Sequence, residues 1–125
     1  MIVSDIEFDE VISSVMDELP QEYITGMKNV SVVIADDPDE HQRTKLKLRC
    51  HETLFGLYEG IPLTKRGSGY SLVLPDKITL FKNPLLGASQ DLEQFRENTK
   101  RTLWHEIAHH YGLDHKRIHQ LENKS

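Results

Sequence analysis

The residues of this chain best suited to chemistry are five histidines in the string HEIAHHYGLDHKRIH, which covers residues 105–119. His105 and His109 are four residues apart, so on a helix they stand on one face and can direct two imidazoles at one metal ion. Glu106 lies about 100 degrees around the helix axis from His105, beside this pair. The spacing therefore predicts a metal site with a carboxylate next to it.

A third ligand is expected from the residues that follow, because Gly112 allows the backbone to turn sharply out of the helix. This turn can bring His115 back toward the same ion, and Asp114 and His119 are the alternatives if the segment folds differently. Three protein ligands leave the fourth tetrahedral position to water, as in catalytic zinc sites. Structural zinc sites fill all four positions with protein ligands instead, so the pattern favours a catalytic site.

The chemistry expected of such a site is metal-assisted hydrolysis. One zinc ion per chain would be held by His105, His109 and His115. Glu106 would take a proton from the zinc-bound water, and the resulting hydroxide would attack a carbonyl of the substrate.

Other residues have simpler roles in this interpretation. His110 points about 100 degrees away from the histidine before it and is expected to pack or to support the site rather than to bind metal. Tyr58, Tyr70 and Trp104 are expected to be ordinary core aromatics. Cys50 is the only cysteine and is expected to be a surface or core residue.

The elements that must position the histidines can be predicted from the apolar pattern. Residues 91–111 contain no Pro or Gly, and their apolar side chains keep largely to one stripe. A single long helix, ended by Gly112, should therefore carry the histidine pair. Near the start of the chain, Ser4 and Glu7 form a capping-box pattern that predicts a helix over residues 5–19.

Strands are predicted where short apolar runs meet turn residues. Val30–Ala35 is typical of a buried strand, and residues 54–58 indicate a short one. Tyr70–Leu74 and Ile78–Phe81 are predicted to form a hairpin, and the second of them is the candidate edge along which an extended peptide would bind. A short helix is predicted over residues 116–122.

The complete pattern HExxHxxGxxH resembles the zinc signature of the metzincin metallopeptidases. The surrounding chain resembles the zincin-like metallopeptidase family of minimal bacterial proteases, in which segments like LFGLYEGIPLTKRG, YSLVLPDKITLFKNPLL and RTLWHEIAHHYGLDH occur in this order. The resemblance implies a small α+β fold in which a twisted sheet packs on the long helix. It also implies zinc ligation by His105 and His109 and the role of base for Glu106.

The chain departs from these families in two places. The zincin-like family usually has an aspartate at the position of His115. Larger metzincins have a methionine turn beneath the metal, whereas all three methionines of this chain precede the motif.

Two other functions compete with the peptidase. The pattern HxxxHxxGxDH also resembles the zinc site of the YbeY-type endoribonucleases, in which His105, His109 and His115 would again be ligands. That motif lacks a glutamate after its first histidine, so Glu106 favours the peptidase. The other alternative is a zinc-binding pseudoenzyme without turnover.

Composition limits the classes of function further. A chain of 125 residues, with 38% hydrophobic and 28% charged residues, is expected to form one water-soluble domain over residues 1–125. No apolar run approaches the roughly 20 residues that span a bilayer, and the acidic start lacks the basic region of a signal peptide, so a cytoplasmic protein is expected. The net charge of −5 disfavours nucleic acid as a partner, because phosphate binding relies on Lys and Arg.

Overall fold

The computed structural model of this protein describes residues 1–27, 29–49, 55–60 and 76–113. The helices in these ranges are α1 (Asp5–Glu18), α2 (Gln21–Gly26), α3 (Glu40–Arg49), α4 (Lys82–Gly87) and α5 (Leu92–Tyr111). The strands are β1 (Val30–Ala35), β2 (Gly56–Glu59) and β3 (Asp76–Phe81). The predicted α+β class is confirmed, because a mixed three-stranded sheet packs against the long helix α5.

The sheet has β3 at its centre, where β3 runs parallel to β1 on one side and antiparallel to β2 on the other. The prediction that Ile78–Phe81 forms an edge is therefore wrong. All four of these residues are buried, and a continuous buried run is typical of a strand that is covered on both faces. Tyr70–Leu74, the predicted hairpin partner, lies outside the described residues, as does the predicted helix over residues 116–122.

Helix α1 begins as its sequence predicts. The Ser4 hydroxyl accepts a hydrogen bond from the Glu7 N–H at 3.1 Å, and the Glu7 carboxylate accepts one from the Ser4 N–H at 3.3 Å. This capping box satisfies two backbone N–H groups that have no partner within the helix. Phe8, Ile12 and Val15 are buried on the face that packs against α5.

Helix α5 is confirmed as the predicted long helix and is the element on which the candidate site stands. The Asp91 carboxylate caps its N-terminus by accepting a hydrogen bond from the Gln94 N–H at 2.8 Å. Every residue from Thr102 to Ala108 is buried, because α1 covers one side of this helix while β2 and β3 cover another. A helix enclosed in this way has little freedom to move its side chains, which suits it to hold reactive groups in position.

Helix α3 (Glu40–Arg49) was not predicted, because the apolar pattern between residues 41 and 52 is indecisive. Its N-terminus carries a second capping box, in which the Asp39 carboxylate accepts from the Gln42 N–H at 2.7 Å and the Gln42 amide oxygen accepts from the Asp39 N–H at 3.0 Å. The spacing of Asp39 and Gln42 is the sequence signal that could have indicated α3. In the described part of the chain, no helix has both the length and the apolar character needed to cross a membrane.

Candidate metal centre

The candidate site is built from two rows of side chains on α5. Residues four apart on a helix lie one above the other, so His105 and His109 form one row and Glu106 and His110 form the next. The first row faces a prospective metal position, and the second row faces β2 and β3. The sequence HEIAHH thus places two functional pairs side by side on one helix.

The two imidazoles of the first row converge as the spacing predicts. The Nε2 atoms of His105 and His109 are 3.0 Å apart, and their ring centroids are 4.6 Å apart. Two nitrogens bound to one tetrahedral zinc ion at about 2.0–2.1 Å would lie roughly 3.3 Å apart. The pair therefore fits a zinc ion with a shift of a few tenths of an ångström.

Glu106 brings a carboxylate to the same place. One ligand-capable atom from each of His105, Glu106 and His109 lies within 4.8 Å of the others. Glu106 is 3% exposed, and its Oε1 atom accepts a hydrogen bond from the backbone N–H of Tyr58 at 2.9 Å. The carboxylate is therefore fixed to strand β2 and held beside the imidazole pair.

His110, on the second row, belongs to a buried polar cluster rather than to the metal-facing row. Its Nδ1 atom is 2.8 Å from Asp76 Oδ2, and the Tyr58 hydroxyl donates to the same oxygen at 2.7 Å. All three residues are at most 3% exposed. The predicted supporting role of His110 agrees with this geometry.

Asp76 and the polar role of Tyr58 are not predicted by the sequence. Asp76 follows a proline, a pairing typical of a turn, and no local pattern links it to His110, 34 residues later. Tyr58 is buried like the core aromatic that the sequence predicts, but both its hydroxyl and its N–H form hydrogen bonds near the site. Trp104 does pack in the core, with its ring centroid 5.3 Å from that of Tyr23.

Gly112 ends α5 in the left-handed conformation that the sequence predicts, with a φ of 75°. Its N–H donates to the His109 carbonyl at 3.0 Å, and the Leu113 N–H donates to the Ala108 carbonyl at 3.0 Å. The chain therefore turns away from the helix axis directly after the histidine pair. His115, Asp114 and His119 lie outside the described residues, so the identity of the third ligand stays a prediction.

Comparison with known proteins agrees with this geometry. The sequence matches the family model described as zincin-like metallopeptidase over residues 27–125. The fold is similar to that of a conserved hypothetical protein from Thermus thermophilus, with a TM-score of 0.55 and 16% sequence identity, over 98% of this chain and 100% of that chain. Identity at this level shows a common fold alone. No curated protein matches the sequence.

Proposed function

Because the chain belongs to the zincin-like metallopeptidase family, we propose that it is a zinc-dependent peptidase with Glu106 as its base. Its proposed metal ligands are His105, His109 and His115. The observation that carries the proposal is the convergence of two imidazole nitrogens, 3.0 Å apart, beside a buried carboxylate on the same helix. Membership of a peptidase family supports a peptide or protein as the substrate.

Each residue of the site has a distinct part in the proposed reaction. A zinc ion, when bound, supplies a Lewis acid that polarises a carbonyl and makes water acidic near neutral pH. His105 and His109 would hold the ion from adjacent turns of α5. Glu106 accepts a proton from the attacking water and later donates it to the amine that leaves. The Tyr58 N–H keeps the carboxylate in place during both transfers.

Glu106 also bears on the two alternative functions. The endoribonuclease motif has no glutamate at this position, whereas here the carboxylate is buried, anchored to β2 and adjacent to the imidazole pair. A zinc-binding protein without turnover would have no need of an anchored base. Burying a carboxylate costs free energy unless hydrogen bonds offset that cost, so its presence at the site supports a chemical role.

The test is a cleavage assay on purified protein with a measured zinc content. Unstructured peptides and a single-stranded RNA are incubated with the zinc-loaded wild type, with the same protein after chelation, and with Glu106→Gln. We expect cleavage of peptides only, its loss on chelation, and its recovery when zinc is restored. Cleavage of RNA instead would support the endoribonuclease, and zinc binding without any cleavage would support the pseudoenzyme.

A further inference from the structure

A buried hydrogen-bonded cluster of Tyr58, Asp76 and His110 lies directly behind the candidate metal centre. We propose that Tyr58 is a positioning residue for Glu106, and that Asp76 and His110 hold Tyr58 in the orientation this requires. The proposal rests on the proposed peptidase function, because it assigns a role in orienting the base. It concerns three residues that are not expected to bind metal.

Tyr58 contacts the site through two different groups. Its N–H donates to Glu106 Oε1 at 2.9 Å, and its hydroxyl donates to Asp76 Oδ2 at 2.7 Å. His110 approaches the same Asp76 oxygen at 2.8 Å and the Tyr58 hydroxyl at 3.4 Å. Tyr58 is thus connected to α5 twice. Its N–H binds Glu106, and its hydroxyl lies close to His110, which is one helical turn further along α5.

The direction of the Tyr58 N–H follows from the pairing of β2 with β3. The Phe81 N–H donates to the Phe55 carbonyl at 2.8 Å, which makes that pair a hydrogen-bonded one in the antiparallel ladder. Hydrogen-bonded and non-hydrogen-bonded pairs alternate along an antiparallel ladder. Tyr58 is three residues after Phe55 and lies opposite Ile78, so it is at a non-hydrogen-bonded position. Its N–H therefore points away from β3, and α5 supplies the acceptor.

The repeat distances of α5 and β2 are similar, so contacts between the two elements can recur along their length. Four residues of a helix rise about 6.0 Å, and two residues of a strand advance about 6.7 Å. Thr102 and Glu106, four residues apart on α5, therefore meet Gly56 and Tyr58, two residues apart on β2. A Cβ atom at Gly56 would lie 2.7 Å from Thr102 Cγ2, which shows how closely the two elements approach at the first of these positions.

The cluster is polar although it is buried, which indicates that it orients side chains and backbone rather than stabilising the fold. Buried ionic clusters often contribute no more stability than apolar residues of the same size, whereas hydrogen bonds fix direction. A phenylalanine in place of Tyr58 and a leucine in place of Asp76 would fill the same space, but they would form no hydrogen bond that fixes the end of β2. The Asp76 carboxylate, which accepts from the Tyr58 hydroxyl, restrains both the rotation of the ring and the backbone that carries the N–H.

The test compares Tyr58→Phe and Asp76→Asn with a matched control, Tyr111→Phe. Tyr111 is on α5, and its hydroxyl donates to the Tyr23 carbonyl at 2.6 Å, so the control removes a phenol hydrogen bond that does not involve Glu106. Two quantities are measured on the zinc-loaded full chain. One is the hydrogen-exchange rate of the amide at position 58 relative to that of Ile107, by NMR, and the other is kcat and KM for the best-cleaved peptide.

In Tyr58→Phe and Asp76→Asn we expect the relative exchange rate at position 58 to rise about tenfold, the factor for loss of one ordinary hydrogen bond. We expect kcat to fall about tenfold with KM and zinc content unchanged, because only the base is displaced. Tyr111→Phe should change neither quantity. In a Glu106→Gln background, Tyr58→Phe should change the residual kcat by less than about twofold, because its target is already removed.

Three results would overturn the proposal: an unchanged relative exchange rate at position 58, a loss of kcat that Tyr111→Phe reproduces, or the full tenfold loss persisting in the Glu106→Gln background. If the wild type cleaves no peptide, the proposed function fails. The exchange rates then still decide whether Tyr58 positions Glu106, so the two failures are distinguishable.

Discussion

The imidazole rings of His105 and His109 face each other on successive turns of α5, with their Nε2 atoms 3.0 Å apart and their planes inclined by 61°. His105 is buried, and His109 is partly exposed. Both residues belong to one helix and are four positions apart, so the helix itself places the two rings on adjacent turns. Helical geometry therefore pre-organises two of the three proposed zinc ligands.

This pre-organisation predicts unequal effects of removing the three histidines. We expect His105→Ala and His109→Ala to weaken zinc binding by more than His115→Ala, whose position depends on the turn at Gly112. Each of the first two losses should exceed the roughly 10- to 100-fold that loss of an outer-shell partner causes. Competitive chelation measures the affinities, and His41→Ala, an exposed residue of α3, is the control. Equal losses from all three would show that the third ligand is held as firmly as the helical pair.

Glu106→Gln should separate catalysis from metal binding. Glutamine keeps an oxygen that can accept from the Tyr58 N–H, so the fold and a zinc content near one per chain should be retained. It cannot accept a proton from water, so peptide cleavage should fall roughly 10²- to 10⁴-fold. Zinc content, thermal melting and cleavage rate are measured side by side. Undiminished cleavage with intact zinc would refute the assignment of Glu106 as the base.

Gly56→Ala should loosen the contact between α5 and β2. The added Cβ would lie 2.7 Å from Thr102 Cγ2 and 3.2 Å from the Thr79 carbonyl oxygen, so the Thr102 side chain, α5 or β2 must shift. We expect a loss of about 1–3 kcal/mol in the free energy of unfolding, measured by urea denaturation. Thr102→Ser removes the clashing methyl group and should recover part of that loss in the double variant. Strict additivity of the two changes would contradict the clash as the cause.

Gly112→Ala should destabilise the end of α5. The backbone there has a φ of 75°, a conformation that costs residues with a Cβ about 1–2 kcal/mol. Zinc affinity should fall as well if the segment after the turn supplies the third ligand. Gly87→Ala is the matched control, because the added Cβ would have no atom within 4 Å beyond its own stretch of helix backbone, and it should leave both quantities nearly unchanged. Equal destabilisation by both variants would argue against backbone strain.

The Tyr111 phenol should contribute to loss of stability at alkaline pH. Burial, reinforced by the nearby Tyr23, raises the pKa of Tyr111 above its ordinary value of 10.0. Above about pH 10 the unfolded chain releases this proton while the folded chain keeps it, so the free energy of unfolding falls as the pH rises. Tyr111→Phe should therefore show a shallower decline than the wild type as the pH rises above about 10. Parallel curves from urea denaturation would contradict this.

Local signals in the sequence predicted most of the elements. The capping box at Ser4, the uninterrupted helix before Gly112 and the four-residue spacing of His105 and His109 all act within one or two turns of chain. The structure confirms each of them, because helix geometry depends on near neighbours. The single-domain organisation and the cytoplasmic location stay predictions.

Relationships across the sheet could not be predicted in the same way. The apolar run from Ile78 to Phe81 indicated a strand, but only its pairing with both β1 and β2 shows that it is central. Likewise, Asp76 and Tyr58 carry no local pattern that connects them to α5. Their roles depend on tertiary contacts between distant segments, which a single sequence does not reveal.

The hydrogen bond between Tyr58 and Glu106 joins residues 48 positions apart, and this separation bears on how the site assembles during folding. The histidine pair needs only one turn of helix, an event on the order of a microsecond. Anchoring of Glu106 requires loop closure and pairing of β2 with β3, which are slower because non-local contacts form late. In stopped-flow refolding, we expect uptake of zinc from a dye to precede the native fluorescence of Trp104. On this expectation, a newly made chain would bind the metal before the hydrogen bond that anchors Glu106 has formed.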